Sequence, residues 1–258
     1  MSIHPSAIID PTAKVHADAE VGPYCIVGAE VEIGAGTHLM AHVYVEGPTR
    51  IGEDNVFFPY STVGVASQDK KYQGERAHTA IGNRNRIREF VTIHRGTEGG
   101  GALTSIGDDN LLMAYVHVAH DVRIGDHCVL GNAVTFAGHV IVEDWVTIGA
   151  FSGVHQFCKV GQHAFVGGYS VITQNVLPYS TTVSQREVKI FGANAVGLER
   201  RGFTADRIEV LQRAFRILTR AGLNTSQAIA RIREEGIESP EIDELLTFIS
   251  RSERGFIK

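Results

Sequence analysis

An apolar residue returns at every sixth position from Ile3 through Ile9, Val15, Val21, Val27, Ile33, Leu39, Val45, Ile51 and Phe57 to Val63. The series resumes at Ile81, Ile87 and Ile93, and runs again in step from Ile106 to Ile172. An α-helix repeats every 3.6 residues and an alternating strand every 2, so neither produces this spacing. A solenoid of very short parallel strands does, with three hexads closing one triangular coil. The fifth position of the hexad is small or β-branched (Ala7, Ala13, Ala19, Cys25, Val31, Thr37, Val43, then Val116, Val122, Cys128, Val134 and Val140). First and fifth positions are therefore expected to face inward. The second position is often glycine, as at Gly22, Gly34, Gly52, Gly82, Gly107 and Gly125. Such glycines read as corners that need strained backbone angles.

Two stretches break the count, 64–80 and the glycine-rich 97–105. Insertions of this kind emerge from a solenoid as loops beside its binding surface. Ile81 follows Val63 by 18 residues, so the first loop is expected to replace part of a coil without loss of phase. The interval from Ile93 to Ile106 is one residue over two hexads, which implies an excursion. Beyond Ile172 the hexads fade. Helical periodicity then predicts a helix capped by Thr204 with a stripe of Ile208, Leu211, Phe215 and Leu218. A second helix is expected from Thr225 and a third from Ser239-Pro240, with proline at its first turn. The expected organisation is a β-helix over 1–190 and a helical domain over 191–258.

The chain of 258 residues is 43% apolar and 21% charged with a formal charge of −5, an ordinary balance that offers nothing to nucleic acid. No apolar run reaches the roughly 18 residues of a membrane span. The opening MSIHPSAIID is already in hexad register and lacks the basic and apolar regions of a signal peptide, so a cytoplasmic protein is expected. Cys25, Cys128 and Cys158 all fall on the fifth position, where they read as buried packing residues rather than disulfides or nucleophiles.

Because one coil is 18 residues, positions 18 apart stack at roughly 4.8 Å. His120, Gly138 and Gln156 therefore share one column, and Asp121 and His139 the next. His117 and His155 lie beside them. A histidine oriented by a carboxylate is a candidate general base, since free imidazole titrates near about 6.5. The backbone N–H of Gly138 is a candidate oxyanion donor with room for an acyl group. With no G-x-S-x-G elbow and no exposed cysteine, direct attack by a substrate hydroxyl fits better than a covalent enzyme intermediate. The other eight histidines, His94 among them, read as surface residues.

At HVAHD (117–121), AGHV (137–140), VHQFCKVG (154–161), SQDKKYQG (67–74), IREFVTIHRGT (87–97), LERRGF (198–203) and the closing SERGFIK, the chain resembles the UDP-N-acetylglucosamine acyltransferases that open lipid A synthesis. The resemblance implies an all-β left-handed parallel β-helix with a small C-terminal α-helical domain. It also implies a homotrimer with active sites between subunits and no cofactor or metal. It assigns the base to His120, the orienting carboxylate to Asp121 and the oxyanion donor to Gly138. It gives substrate contacts to Asp69, Lys71, His117, His139, His155, Gln156, Asn194 and Arg200, and the acyl-length position to Gly168. The implied partners are UDP-N-acetylglucosamine and an acyl carrier protein bearing a 3-hydroxyacyl chain. Arg213, Arg216 and Arg220 share one helix face by their spacing and are candidates to dock that carrier. Two alternatives are an N-acyltransferase acting on a 3-amino UDP-sugar and a hexapeptide-repeat zinc hydratase.

Overall fold

The computed structural model describes residues 2–182, 192–200, 202–220 and 222–250, without the side chain of Arg220. The segments Ser184–Glu187 and Ser252–Lys258 lie outside the described residues. The chain divides into two units, Met1–Ser184 and Gln185–Lys258.

The first unit is a parallel β-helix of strands mostly two residues long, arranged among the described residues in three sheets of ten, nine and eight strands. Each strand pairs with the third one onward, as in Ser2↔Glu20, Ile8↔Ile26 and Lys14↔Glu32, so a coil is three strands and 18 residues. First-position side chains are buried from Val21 to Ile172, and fifth-position residues line the interior with them. The three cysteines are free and buried, and burial pushes the Cys128 thiol up to about 11. Interior polar residues satisfy one another between coils: Asn55 accepts from the Asn85 amide N–H and Asn85 from that of Asn110.

The glycine corners have a different cause from the one the spacing suggested. None of Gly22, Gly34, Gly52, Gly82, Gly107 and Gly125 has a left-handed φ. What they lack is space: a Cβ on Gly82, Gly107 or Gly125 would stand 2.1 Å from a carboxylate oxygen of Asp108, Asp126 or Asp144 on the next coil. Those carboxylates accept the third-position N–H groups of Asn83, Asp108 and Asp126 at 2.7–2.9 Å. The left-handed corner residue is instead the fourth of the hexad and is seldom glycine; Tyr24, Tyr60, Phe90 and Tyr115 all have φ between 58° and 65°. Each such residue costs about 1–2 kcal/mol. Ring stacking offsets part of it, because Tyr24, His42, Tyr60, Phe90 and Tyr115 lie face to face at 4.9–5.1 Å.

Both insertions leave the same corner, the one that follows the nine-stranded sheet. Ile81 pairs with Ile51, thirty residues back, so the first insertion adds twelve residues to one corner and replaces no part of a coil. Ile106 pairs with Ile81, 25 residues back, so the second adds seven one coil further on. The next coils bring His120 and Asp121, Gly138 and His139, and Gln156 and Phe157 to this corner in turn.

The second unit comprises α1 (Ala195–Glu199), α2 (Ala205–Arg220), α3 (Thr225–Glu234) and α4 (Pro240–Ser250). Leu211, Ala214, Leu218, Ala228, Ile232, Ile237, Ile242 and Ile249 form its core. Phe215 is only half-buried, and Ala214 takes the central place in the stripe. Helix α3 begins with a capping box between Asn224 and Gln227.

Candidate active site

Along the corner that carries both loops runs a groove of about 670 Å³, lined by Gln68–Lys71, His94, His117, Ala119, His120, Thr135–Ala137, His139, Gln156 and Phe157. His120 sits over Gly138, so closely that a Cβ on Gly138 would lie 2.4 Å from Cε1 and 2.5 Å from Nε2 of the imidazole. Gly138 is buried beneath the His120 ring rather than on an open surface. Its N–H has no acceptor among the described residues. The reason is general: third-position N–H groups point out of the β-ladder, so prolines (Pro5, Pro11, Pro23, Pro59) are tolerated there. At the glycine corners an Asn or Asp of the next coil takes this N–H, and no described side chain takes it at Gly138.

The Nδ1 of His120 lies 2.9 Å from Oδ2 of Asp121, whose side chain is 1% exposed. A carboxylate only accepts, so Nδ1 donates to it and Nε2 is left as the free acceptor. Thr97 closes the other side of Asp121. Its N–H reaches Oδ1 and Oδ2 at 3.0 and 3.1 Å, and its hydroxyl donates to Oδ2 at 2.6 Å. The Asp121 N–H donates to Thr104 Oγ1 at 2.8 Å, holding a non-glycine residue at φ 60°. His139 Nδ1 stands 3.9 Å from the same Oδ2, and its ring stacks on Phe157 at 4.6 Å. The ligand-type atoms of His120, Asp121 and His139 lie within 4.8 Å of one another. Donors from Thr97 and His120 already converge on Oδ2, so the group reads as a hydrogen-bonded relay and not as a set of metal ligands.

His117 hydrogen-bonds Thr92 Oγ1 at 2.7 Å and packs edge-on against His94. Burial lowers the pKa of His117. Burial, followed by the neighbouring charges of His117 and His120, takes His94 down to about 4, so both rings are neutral at pH 7. His94 is thus a buried member of the groove rather than a surface residue, and the hexad pattern gave no sign of it. Asp69 and Lys71 line the groove from the first loop, where Asp69 Oδ1 accepts from the Lys71 N–H at 3.0 Å. His155 is exposed, bonded to its neighbour's carbonyl, and does not line the groove. Gly168 follows the strand Phe165–Val166 of the ten-stranded sheet and stands at another corner of the prism. Asn194 and Arg200 belong to the second unit, where Asn194 caps α1 by accepting from the Gly197 N–H. Arg213 and Arg216 are exposed on α2. Sequence reasoning also missed Thr97, Thr104 and Phe157; the glycine run after Thr97 was the signal for the first.

A stack of two-residue rungs with a histidine poised over a glycine is the form of an acyltransferase of the hexapeptide class. Residues 103–138 match the family described as bacterial transferase hexapeptide (six repeats), and residues 175–257 match UDP N-acetylglucosamine O-acyltransferase, domain 2. The acyl-[acyl-carrier-protein]–UDP-N-acetylglucosamine O-acyltransferase of Stenotrophomonas maltophilia strain K279a is 46% identical over 99% of this chain and 97% of its own. The chain belongs to that family. Solved structures agree: LpxA from Acinetobacter baumannii is 44% identical with a TM-score of 0.70, covering 99% of both chains. The UDP-N-acetylglucosamine O-acyltransferase from Moraxella catarrhalis is 42% identical with a TM-score of 0.71, covering 100% of both. With them the coil is the left-handed parallel β-helix with a small helical end.

Proposed function

We propose that the chain transfers an (R)-3-hydroxyacyl group from acyl carrier protein to the 3-hydroxyl of UDP-N-acetylglucosamine, the first step of lipid A synthesis, with His120 as general base. One observation carries this reading: His120, tied through Nδ1 to buried Asp121, lies over a glycine whose N–H is unspent. Nε2 takes the proton of the sugar hydroxyl as its oxygen attacks the thioester carbonyl. Asp121 stabilises the resulting imidazolium. The Gly138 N–H supports the oxyanion. On collapse the C–S bond breaks, the thiolate leaves with the proton from His120, and an ester remains.

Asp69, Lys71, His117, His139, His155 and Gln156 are assigned to substrate contact, and Asn194 and Arg200 to the nucleotide, where a guanidinium suits a diphosphate. Arg213, Arg216 and Arg220 are assigned to the acidic carrier. Gly168 is assigned to the far end of the acyl chain; its coil exposes Phe165, Tyr169 and Val171, an apolar surface suited to a hydrocarbon. Because Gly168 and the groove occupy different corners of one chain, the complete site requires a second copy, and we propose a homotrimer with the site between subunits. We propose that the reaction takes place in the cytoplasm. No described helix is long and apolar enough to cross a membrane.

The test is His120→Ala assayed with UDP-N-acetylglucosamine and hydroxyacyl carrier protein. A positioned base is worth roughly 10²–10⁴ in rate, so kcat should fall by that much with folding intact. An alanine variant as active as the parent would remove the mechanism.

A further inference from the structure

We infer that Thr97, held by the glycine-rich strap Gly96–Gly101, is a positioning residue that fixes the carboxylate of Asp121 on His120; the inference rests on the His120 reading above. The second insertion has a physical purpose at this point. A Cβ on Gly100 would lie 2.0–2.4 Å from the Asp121 carboxyl atoms, and one on Gly96 would lie 2.8 Å from Oδ1. Only a chain without side chains at those positions passes close enough to deliver the Thr97 N–H and hydroxyl to the carboxylate. The strap is itself pinned: Gly96 N–H donates to His78 O, and Gly100 and Ala102 N–H groups both donate to Thr97 O. Glu98 and Gly100 close a 3₁₀ turn that ends at Gly101 with φ 95°.

The consequence is electrostatic as well as geometric. Asp121 Oδ2 is shared between the hydroxyl of Thr97 and Nδ1 of His120. A hydrogen bond to the charged form stabilises it and lowers its appetite for a proton. With the hydroxyl present, the proton between Asp121 and His120 stays on the imidazole, and Nε2 keeps its acceptor lone pair toward the substrate. Without it the carboxylate loses a donor that fixes its position, and the imidazole is held less firmly over Gly138. The other titratable groups facing the pair are His139, 3.9 Å from Oδ2, and His94, His117, Asp69, Lys70 and Lys71 around the groove. Substitution at Thr97 leaves all of these in place.

The experiment compares full-length Thr97→Val, Thr97→Ser and Gly100→Ala with the parent, measuring kcat and KM for UDP-N-acetylglucosamine. A hydrogen bond to a charged group is worth about tenfold or more. Thr97→Val should therefore lower kcat about tenfold and leave KM unchanged. Thr97→Ser should restore kcat. Gly100→Ala keeps the threonine but pushes the strap off Asp121, so it should reproduce the valine phenotype. It also tests the idea independently should the valine protein not fold. A parent-like kcat in either folded variant would overturn the inference. If His120→Ala is inactive while Thr97→Val is normal, only the role of Thr97 fails; an active His120→Ala protein removes the general-base reading itself.

Discussion

Replacing Gly138 with alanine should cost activity without unfolding the chain, and the size of the effect follows from one contact. The added Cβ would lie 2.4 Å from Cε1 of His120, where ordinary carbon contacts begin near about 3.5 Å. The ring must then retreat by about 1 Å. Its bond to Asp121, 2.9 Å in the parent, would be stretched past the useful range. Misplacement on that scale costs about 10² in rate, or close to 3 kcal/mol of barrier. The fold should survive. Gly138 has no left-handed φ that alanine would strain, and the His120 side chain, 14% exposed, borders an open groove into which it can swing. Stability should fall by no more than about 3 kcal/mol, the worth of the bond lost to Asp121, offset in part by the stiffer unfolded chain. Initial rates at saturating sugar nucleotide and a thermal melt on the same preparation provide the check. A folded Gly138→Ala enzyme with the parent's kcat would show that the imidazole does not work from its place above this glycine.

Gly125→Ala should instead lower the urea midpoint with kcat retained, because its Cβ displaces the Asp144 oxygen that accepts the Asp126 N–H. A cost of about 1 kcal/mol is expected; a raised midpoint would mean that coil spacing is not what the glycine serves. Buried His94, with a pKa near 4 against 6.5 for the free ring, must stay neutral to fold, so its contribution is complete above about pH 6.5 and lost as pH falls toward 4. Between pH 7 and 5 this amounts to about 2 kcal/mol, and His94→Gln should flatten that part of the stability curve. Gly168→Met should shift donor preference from the expected chains of roughly C12 to C14 toward C10, read by competing carrier-bound acyl groups; an unchanged preference would clear Gly168 of the role. Arg213→Glu with Arg216→Glu should raise KM for the carrier-bound donor while leaving KM for the sugar nucleotide unaltered.

The period of six revealed the parts of the fold that a single coil decides: which side chains go inside, and how residues 18 apart stack. It therefore brought His120, Asp121, Gly138, His139 and Gln156 to one place before any coordinates. The helices from Thr204 and Pro240 were legible because their apolar stripes are long, whereas Ala195–Glu199 is too short to show a period. What escaped was whatever depends on the neighbouring coil. The corner glycines are explained by the carboxylates of Asp108, Asp126 and Asp144, which no local rule connects to them. His94 pairs with Val65 at the root of the first insertion and packs edge-on against His117, and counting hexads could not supply either neighbour. One signal was present and unused. Pro5, Pro11, Pro23 and Pro59 all occupy the third hexad position, and proline is admitted only where an N–H is not required by the ladder. Those four residues already say that the third-position N–H is free for other work. Extended to Gly138, the same position supplies the amide that the proposed chemistry needs, so the availability of that donor follows from the repeat itself.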